Sequence, residues 1–178
     1  MRITRHLRSI SPAILLILGV PCVSNAFAGP SLVPALDSNN FYPYGAAKTA
    51  EARVTAEPFR TAMTITNLAP GHDPWDSGAS TPTLTGNIAK GDRLQVSLYA
   101  RALSPAVAKI EVSVELAGAP YTSSGRRTMM LKKSWQRFTV PAVAMASYNG
   151  SQIHIIFHTA FAKETVQVGG VKLIDTGK

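Results

Sequence analysis

His154 and His158 are the first side chains in this sequence whose type and spacing suggest chemistry. They lie four residues apart in the apolar run QIHIIFHTAF, residues 152–161. On a helix, this spacing places two histidines on one face about one turn apart, where both can ligate one metal ion. On a strand they also share a face, but about 13 Å apart, which is four steps of roughly 3.3 Å.

The composition of the run favours the strand. It is rich in Ile and Phe, it follows an Asn149-Gly150 turn, and Ile155 stands where a zinc-binding helix motif carries its glutamate. Alternate residues of a strand point to opposite faces, so no shared metal site is predicted. The residues expected to face the core are Ile153, Ile155 and Phe157, and those expected to face away are His154, Ile156 and His158. Whether the histidines bind a ligand or are simply solvated stays open.

A mixture of aromatic, charged and amide side chains is predicted on one outward sheet face. Sugars are bound by such a mixture, because rings cover the apolar face of a pyranose while Arg, Glu and Gln groups pair with hydroxyls. The predicted ligand-binding residues are Trp75, Tyr99, Arg101, Glu115, Tyr121, His158 and Gln167. Two simpler interpretations remain. Arg101 and Glu115 would form a cross-strand ion pair worth under about 1 kcal/mol, and Trp75 would pack over one end of the fold.

Catalytic sites are harder to assemble from these residues. The triplet 152–154 matches the QIH of jelly-roll alginate lyases, but their Arg-rich strand motif and C-terminal Tyr-Phe-Lys segment have no counterpart. Glycoside hydrolysis needs two carboxylates about 5 to 10 Å apart, whereas Glu111 and Glu115 lie about 13 Å apart on one strand. Pairs of Glu115 with Glu164 or Asp76 stay open. No G-x-S-x-G motif occurs, so no catalytic residue is assigned.

Period-two alternation positions these side chains along most of the chain. In residues 91–103, Leu94, Val96, Leu98 and Ala100 share one face, which is typical of a half-buried strand. The other predicted strands are residues 59–67, 83–88, 108–118, 126–132, 135–140, 152–159 and 165–175. Trp135 is expected to pack against the core. About eight short strands separated by Gly, Pro and Asn turns predict an all-β, two-sheet antiparallel sandwich with jelly-roll topology.

The first 28 residues have the pattern of a secretory signal. Three arginines precede the apolar run of residues 10–20, and Ala26-Phe27-Ala28 ends the segment. We therefore expect residues 1–28 to be removed, residues 29–50 to form an irregular leader and residues 51–178 to form the sandwich. Because Cys22 lies in the signal, the mature chain has no cysteine for disulfides, thiol catalysis or thiolate metal sites.

The mature chain carries a modest positive charge. Of 18 Lys and Arg residues three belong to the signal, which leaves 15 against 10 acidic residues, or +5. The basic residues are scattered, with only the pairs Arg126-Arg127 and Lys132-Lys133, so nucleic-acid binding is not supported. An anionic polysaccharide or cell surface remains a plausible partner of a secreted basic domain.

Several segments in order resemble a known family. The series PFRTAMTI, PWD, KGDRLQVSLYARAL, VELAGAPY, SWQRFTVP, IIFH and TVQVGGVKLID, within residues 58–175, is similar to carbohydrate-binding jelly-roll modules of the galactose-binding-like superfamily. The nearest resemblance is to those attached to secreted xylanases and other glycoside hydrolases, grouped as families 4, 9 and 22.

The resemblance implies polysaccharide binding in a groove on the concave sheet, without catalysis, and a glycoside hydrolase as a partner. Members often carry a structural calcium near the chain ends, built around an N-terminal acidic motif. Here the Phe-Glu-x-Gly pattern is missing and Asp37 and Asp175 are the only carboxylates suitably near the termini, so no cofactor is expected. The alternatives are a small jelly-roll lyase acting on a uronate polymer and a structural or adhesive envelope protein.

Overall fold

Two five-stranded antiparallel sheets form the protein. The computed structural model describes residues 30–34 and 41–178; the predicted signal peptide lies outside them. The first sheet has the order β1, β4, β11, β7, β8, with bounds Tyr42–Tyr44, Gly78–Ser80, Ile153–His158, Val107–Leu116 and Ser123–Lys132. The second has the order β2, β3, β12, β6, β9, with bounds Ala47–Arg53, Thr61–Asn67, Glu164–Asp175, Arg93–Ser104 and Gln136–Val143. A short ribbon pairs β5 (Asn87–Ile88) with β10 (Tyr148–Asn149).

The alternation in the sequence decides which side chains enter the space between the sheets. In β11 the alternate residues Ile153, Ile155 and Phe157 are fully buried, as predicted. In β6 the residues Leu94 to Ala100 that share their face are also buried. Both sheets therefore contribute large apolar side chains to one continuous core, which is the arrangement of a sandwich. The predicted all-β jelly-roll fold class is confirmed.

Some element boundaries differ from the sequence-based expectation. The segment expected to be an irregular leader, residues 29–50, contains β1 and most of β2, which pair with β4 and β3. β1 is Tyr-Pro-Tyr and β2 is Ala-Lys-Thr-Ala-Glu-Ala-Arg, so neither has the large aliphatic side chains that give a clear alternation signal. β1 and β2 are extended because each forms backbone hydrogen bonds with its neighbour at the edge of a sheet. The predicted strand at 83–88 is reduced to Asn87–Ile88.

Glu164 is a buried carboxyl at the start of β12. Only 4% of the residue is exposed, its Oε2 accepts the backbone N–H of Lys109 at 3.1 Å, and its Oε1 has no hydrogen-bond partner. Burial raises the pKa of Glu164 from 4.5 to about 7, against the opposing effect of the Lys109 hydrogen bond. The folded protein therefore holds a proton that the unfolded chain releases near pH 4.5.

This carboxyl should make stability fall as pH rises. Between about pH 4.5 and 7 the folded state binds more protons than the unfolded state, so the free energy of unfolding declines across that window and levels off above it. We expect a loss of about 2 kcal/mol, less than the full pKa shift implies because relaxation screens a buried charge. Glu164→Gln should flatten this part of the curve in urea unfolding at several pH values. Parallel curves for the two proteins would contradict the assignment.

Candidate functional site

The seven predicted binding residues lie on two different sheets. Trp75, Glu115, Tyr121 and His158 line one groove on the outer face of the first sheet. Tyr99, Arg101 and Gln167 belong to β6 and β12, which pair with each other in the second sheet. The prediction of a single patch is therefore wrong. For the same reason Arg101 and Glu115 cannot form the cross-strand ion pair considered as an alternative.

The groove has a volume of about 620 Å³. Its floor is the outward face of β7 and β11, and its rims are loops and the end of β8. Besides the four predicted residues, it is lined by Tyr44, Thr122, Ser123, Arg126 and Ile156. Tyr44 was missed because its segment was expected to be a leader. Arg126 stands within a predicted strand but was noted only as part of a basic pair.

Glu115 lies at the centre of the floor between the two histidines. The distance from Glu115 Oε1 to His154 Nε2 is 3.9 Å, and that from Oε2 to His158 Nε2 is also 3.9 Å. Both ring atoms are too far for a direct hydrogen bond. The side chains of all three residues are nearly buried, with 6 to 12% exposed, so the interpretation of solvated strand histidines is wrong. Since Glu115 lines the groove, its carboxylate can accept hydrogen bonds from ligand hydroxyls.

Tyr44 fixes the orientation of His158. Its hydroxyl lies 2.7 Å from His158 Nδ1. Burial, followed by the charge of Glu115, raises the pKa of Tyr44, and burial lowers the pKa of His158 although Glu115 opposes this. At neutral pH a protonated Tyr44 therefore donates to a neutral ring, and His158 Nε2–H points towards Glu115. Gly78 permits this contact, because a Cβ there would collide with the Phe157 carbonyl and the Tyr44 hydroxyl.

Glu111 and Arg126 add charge beside the floor. Arg126 Nη1 lies 3.9 Å from Glu111 Oε1, with 58% of the arginine side chain exposed. Thr128 Oγ1 donates to Glu111 Oε2 at 3.2 Å. The exposed guanidinium can reorient to donate to a ligand, since a loose surface ion pair contributes little that must be given up.

Trp75 lies on one rim, in a 3-10 turn at Pro74–Asp76. The Asp76 carboxylate accepts the backbone N–H groups of His72 and Asp73 at 2.8 and 2.9 Å, which holds the turn in shape. The turn is joined to the end of β11 by hydrogen bonds from Thr159 to Ser77 and from Ala160 to Pro74. Trp75 is 53% exposed, so its ring is available to a ligand.

Tyr121 lies in the loop between β7 and β8, near the opposite end of β11. Its backbone N–H donates to Gly118 O at 2.9 Å, closing a tight turn. Tyr121 has φ +55°, a left-handed conformation that is unfavourable for a residue other than glycine. Its side chain is 61% exposed. Glycine would adopt this conformation without strain, so the backbone conformation does not favour a tyrosine here.

The other three predicted residues form a separate cluster on the second sheet. Arg101 Nε donates to Gln167 Oε1 at 2.9 Å, and Gln167 Nε2 donates to Thr64 Oγ1 at 3.0 Å. The Arg101 guanidinium lies 4.7 Å from the centre of the Trp135 ring. Trp135 was expected to pack on the core, but its contacts lie on this outer surface, with Arg101 and Phe59.

Other kinds of site find little support. Among residues 30–34 and 41–178, no group of three His, Cys, Asp or Glu side chains could hold a metal ion. Asp175 Oδ1 accepts the backbone N–H of Gly177, and Asp37 lies outside the described residues. Gln152 lies in a 3-10 turn with its Oε1 accepting the Asn149 N–H, and does not extend the strand face of His154. No helix in the described part is long and apolar enough to cross a membrane.

Comparison with known proteins shows a shared fold. No family model matches the sequence, and no curated protein matches it. Among solved structures, a CBM4 carbohydrate-binding module is 20% identical, covering 78% of this chain and 90% of the module with a TM-score of 0.59. The CBM22-1 xylan-binding domain of Xyn10C from Paenibacillus barcinonensis is 13% identical over 85% of this chain and 97% of that domain, with a TM-score of 0.61.

A third similar structure contains a catalytic module as well. It is the CBM22-1 and GH10 portion of Xyn10B from Clostridium thermocellum, complexed with xylohexaose, and is 9% identical over 78% of this chain, with a TM-score of 0.56. This chain covers only 26% of it. The expected resemblance to carbohydrate-binding jelly-roll modules is thereby confirmed at the level of the fold.

Proposed function

We propose that this protein is a secreted, non-catalytic carbohydrate-binding protein that binds a polysaccharide chain in the groove of the first sheet. Secretion rests on the predicted signal of residues 1–28. The binding residues in this groove are Trp75, Tyr121, Glu115 and His158 from the sequence-based set, together with Tyr44 and Arg126.

The groove composition is the main support for this function. Two exposed rings stand above a buried carboxylate, a histidine and an arginine. Rings cover the apolar faces of sugars, and the charged groups form strong hydrogen bonds to hydroxyls. Several contacts of about 1 kcal/mol each give micromolar to millimolar affinity without any pKa tuning.

The arrangement gives less support to catalysis. Tyr44 keeps its proton because its pKa is raised, so it is a poor base. Glu115 is the only carboxylate among the described residues that line the groove, whereas a glycosidase needs two convergent ones. The similar modules are described as xylan-binding or occur beside a GH10 module, so xylan is a suitable first ligand and a glycoside hydrolase a suitable partner.

Tyr121→Gly tests the groove at a position where stability and binding should change in opposite directions. Glycine adopts φ +55° without strain, so we expect the melting temperature to stay the same or rise slightly. Loss of the ring should weaken binding roughly ten-fold. Affinity gels with xylan and mixed-linkage glucan measure the binding, and thermal unfolding measures the stability.

Met145→Ala is the matched control, because Met145 is 58% exposed and is not among the groove residues. It should leave binding unchanged. Unaltered binding of Tyr121→Gly to every retained polysaccharide would refute the groove assignment. Unsaturated uronate products in a parallel assay with alginate would identify the protein as a lyase instead.

A further inference from the structure

The outer face of the second sheet has one sign of charge. Strand pairing and burial show which residues point outward. Among the described strand residues, five cationic side chains point outward and no carboxylate does. The cations are Lys48, Arg93, Arg101, Arg137 and Lys172. Three carboxylates lie near these cations without pointing outward from a strand. Asp92 precedes Arg93 in a turn, Asp175 pairs with inward-facing Leu94, and Glu51 pairs with inward-facing Met63 at the sheet edge, where it lines a pocket with Phe59 and Lys172.

The first sheet differs in this respect. Its outward strand positions mix Glu111 and Glu115 with Lys109, Arg126 and Lys132, and Asp73 and Asp76 lie beside them in the Trp75 turn. Among the outward strand residues, the excess of positive charge therefore lies on the second sheet, which is the face opposite the groove. A surface of one sign attracts a polyanion over about a Debye length, roughly 10 Å at moderate salt.

Three aromatic rings lie among these cations. Phe59 contacts Tyr99 and Trp135, with ring centres 5.3 and 5.0 Å apart. Phe59 covers the backbone of Gly169, and the planes of the Tyr99 and Trp135 rings are inclined to the Phe59 ring by 43° and 79°. A row of contacts runs from Trp135, just before β9, through Arg101 of β6 and Gln167 of β12 to Thr64 of β3. Trp135 and Arg101 make a cation–π contact, and hydrogen bonds join Arg101, Gln167 and Thr64. With strands about 4.8 Å apart, this row is roughly 14 Å long.

We propose that this outer face of the second sheet, defined by Lys48, Tyr99, Arg101, Trp135 and Lys172, is a second binding surface for an anionic, carboxylate-bearing polysaccharide. Arginine pairs with carboxylates in a planar fork and the rings pack on sugar faces. Cations distributed along the face suit a linear polymer better than a small anion. The protein thus joins two polysaccharides on opposite faces.

The double variant Lys48→Gln/Lys172→Gln tests this surface, because both lysines are exposed strand residues. Binding of polygalacturonate should weaken about ten-fold at low salt. The slope of log affinity against log salt should also decrease by roughly one for each lost contact. Lys90→Gln/Lys132→Gln removes the same charge from a turn and from the first sheet, and should change affinity less than two-fold. Isothermal titration at three salt concentrations measures both.

Tyr121→Gly separates this proposal from that of the groove. It should leave polygalacturonate binding unchanged, while Lys48→Gln/Lys172→Gln should leave binding of neutral glucan or xylan unchanged. Equal losses in both lysine pairs would show a net-charge effect and overturn the proposal. So would loss of polygalacturonate binding in Tyr121→Gly, or stronger binding to phosphatidylserine vesicles than to polygalacturonate.

Discussion

The double variant Trp75→Ala/Tyr121→Ala is expected to bind its polysaccharide about 100-fold more weakly than the native protein. The two rings lie near opposite ends of β11, since the Trp75 turn joins β11 beyond His158 while Tyr121 follows the strand end that pairs with His154. Five strand steps separate those ends, about 17 Å. The rings should therefore stack on different sugar units, each contributing about 1 to 1.5 kcal/mol.

This separation makes the two losses additive. Each single variant should lose roughly ten-fold, and their free-energy changes should sum in the double variant because the sites do not share contacts. Isothermal titration with oligosaccharides of increasing length measures the effect, and the native protein should gain affinity until both rings are reached. The melting temperature should change little, since both rings are more than half exposed. A double variant no weaker than either single variant would place both rings on one sugar or outside the site.

Asn67→Ala is expected to lower the free energy of unfolding by about 4 kcal/mol. Asn67 is fully buried, and the two N–H groups of its Nδ2 are shared among the carbonyl oxygens of Ala69, Thr159 and Ala162 at 2.7, 3.0 and 2.7 Å. Its Oδ1 accepts from Ser77 Oγ at 2.6 Å. Alanine would leave three carbonyl oxygens and one hydroxyl without these partners, and each unsatisfied buried group costs about 1 to 3 kcal/mol, partly relieved by relaxation.

Urea unfolding measures this loss. Thr66→Ala is the matched control on the same strand, because Thr66 is half-buried and has one long hydrogen bond, at 3.4 Å to Thr165. It should cost less than about 1 kcal/mol. Asn67→Asp should be at least as harmful as Asn67→Ala, since a carboxylate oxygen would then face three carbonyl oxygens. If Asn67→Ala were as mild as the control, the amide would not be the link between these loops.

Local patterns predicted the strands and their buried faces but missed some edges. The inward residues of β6, β7 and β11 follow directly from period-two alternation, which depends on neighbours two positions apart. Strand β4, only Gly78–Ser80, and strand β1 carry too few residues for such a signal. β4 pairs with the backbone of β11, and β1 pairs with the remaining edge of β4. Pairing with these neighbours, and not a local pattern, gives the two strands their structure.

The candidate site was predicted only in its residue types. Tyr99, Arg101 and Gln167 share the composition of the groove residues, so a search for sugar-binding side chains selected both sets. What distinguishes them is that β12 pairs with β6 whereas β11 pairs with β7. Tyr44 could have been found only by recognising that its segment adds a strand beside β4.

The sequence by itself determined the all-β class, the alternation of buried and outward residues, and the types of side chain available for sugar binding. Those properties depend on neighbours along the chain, because successive residues of a strand point to opposite sides. Only the tertiary structure decided which strands are neighbours, and with that the sheet to which each outward residue belongs. Pairing joins residues more than a hundred positions apart, such as Tyr44 and His158, and no local pattern carries that information because many pairings satisfy the same alternation.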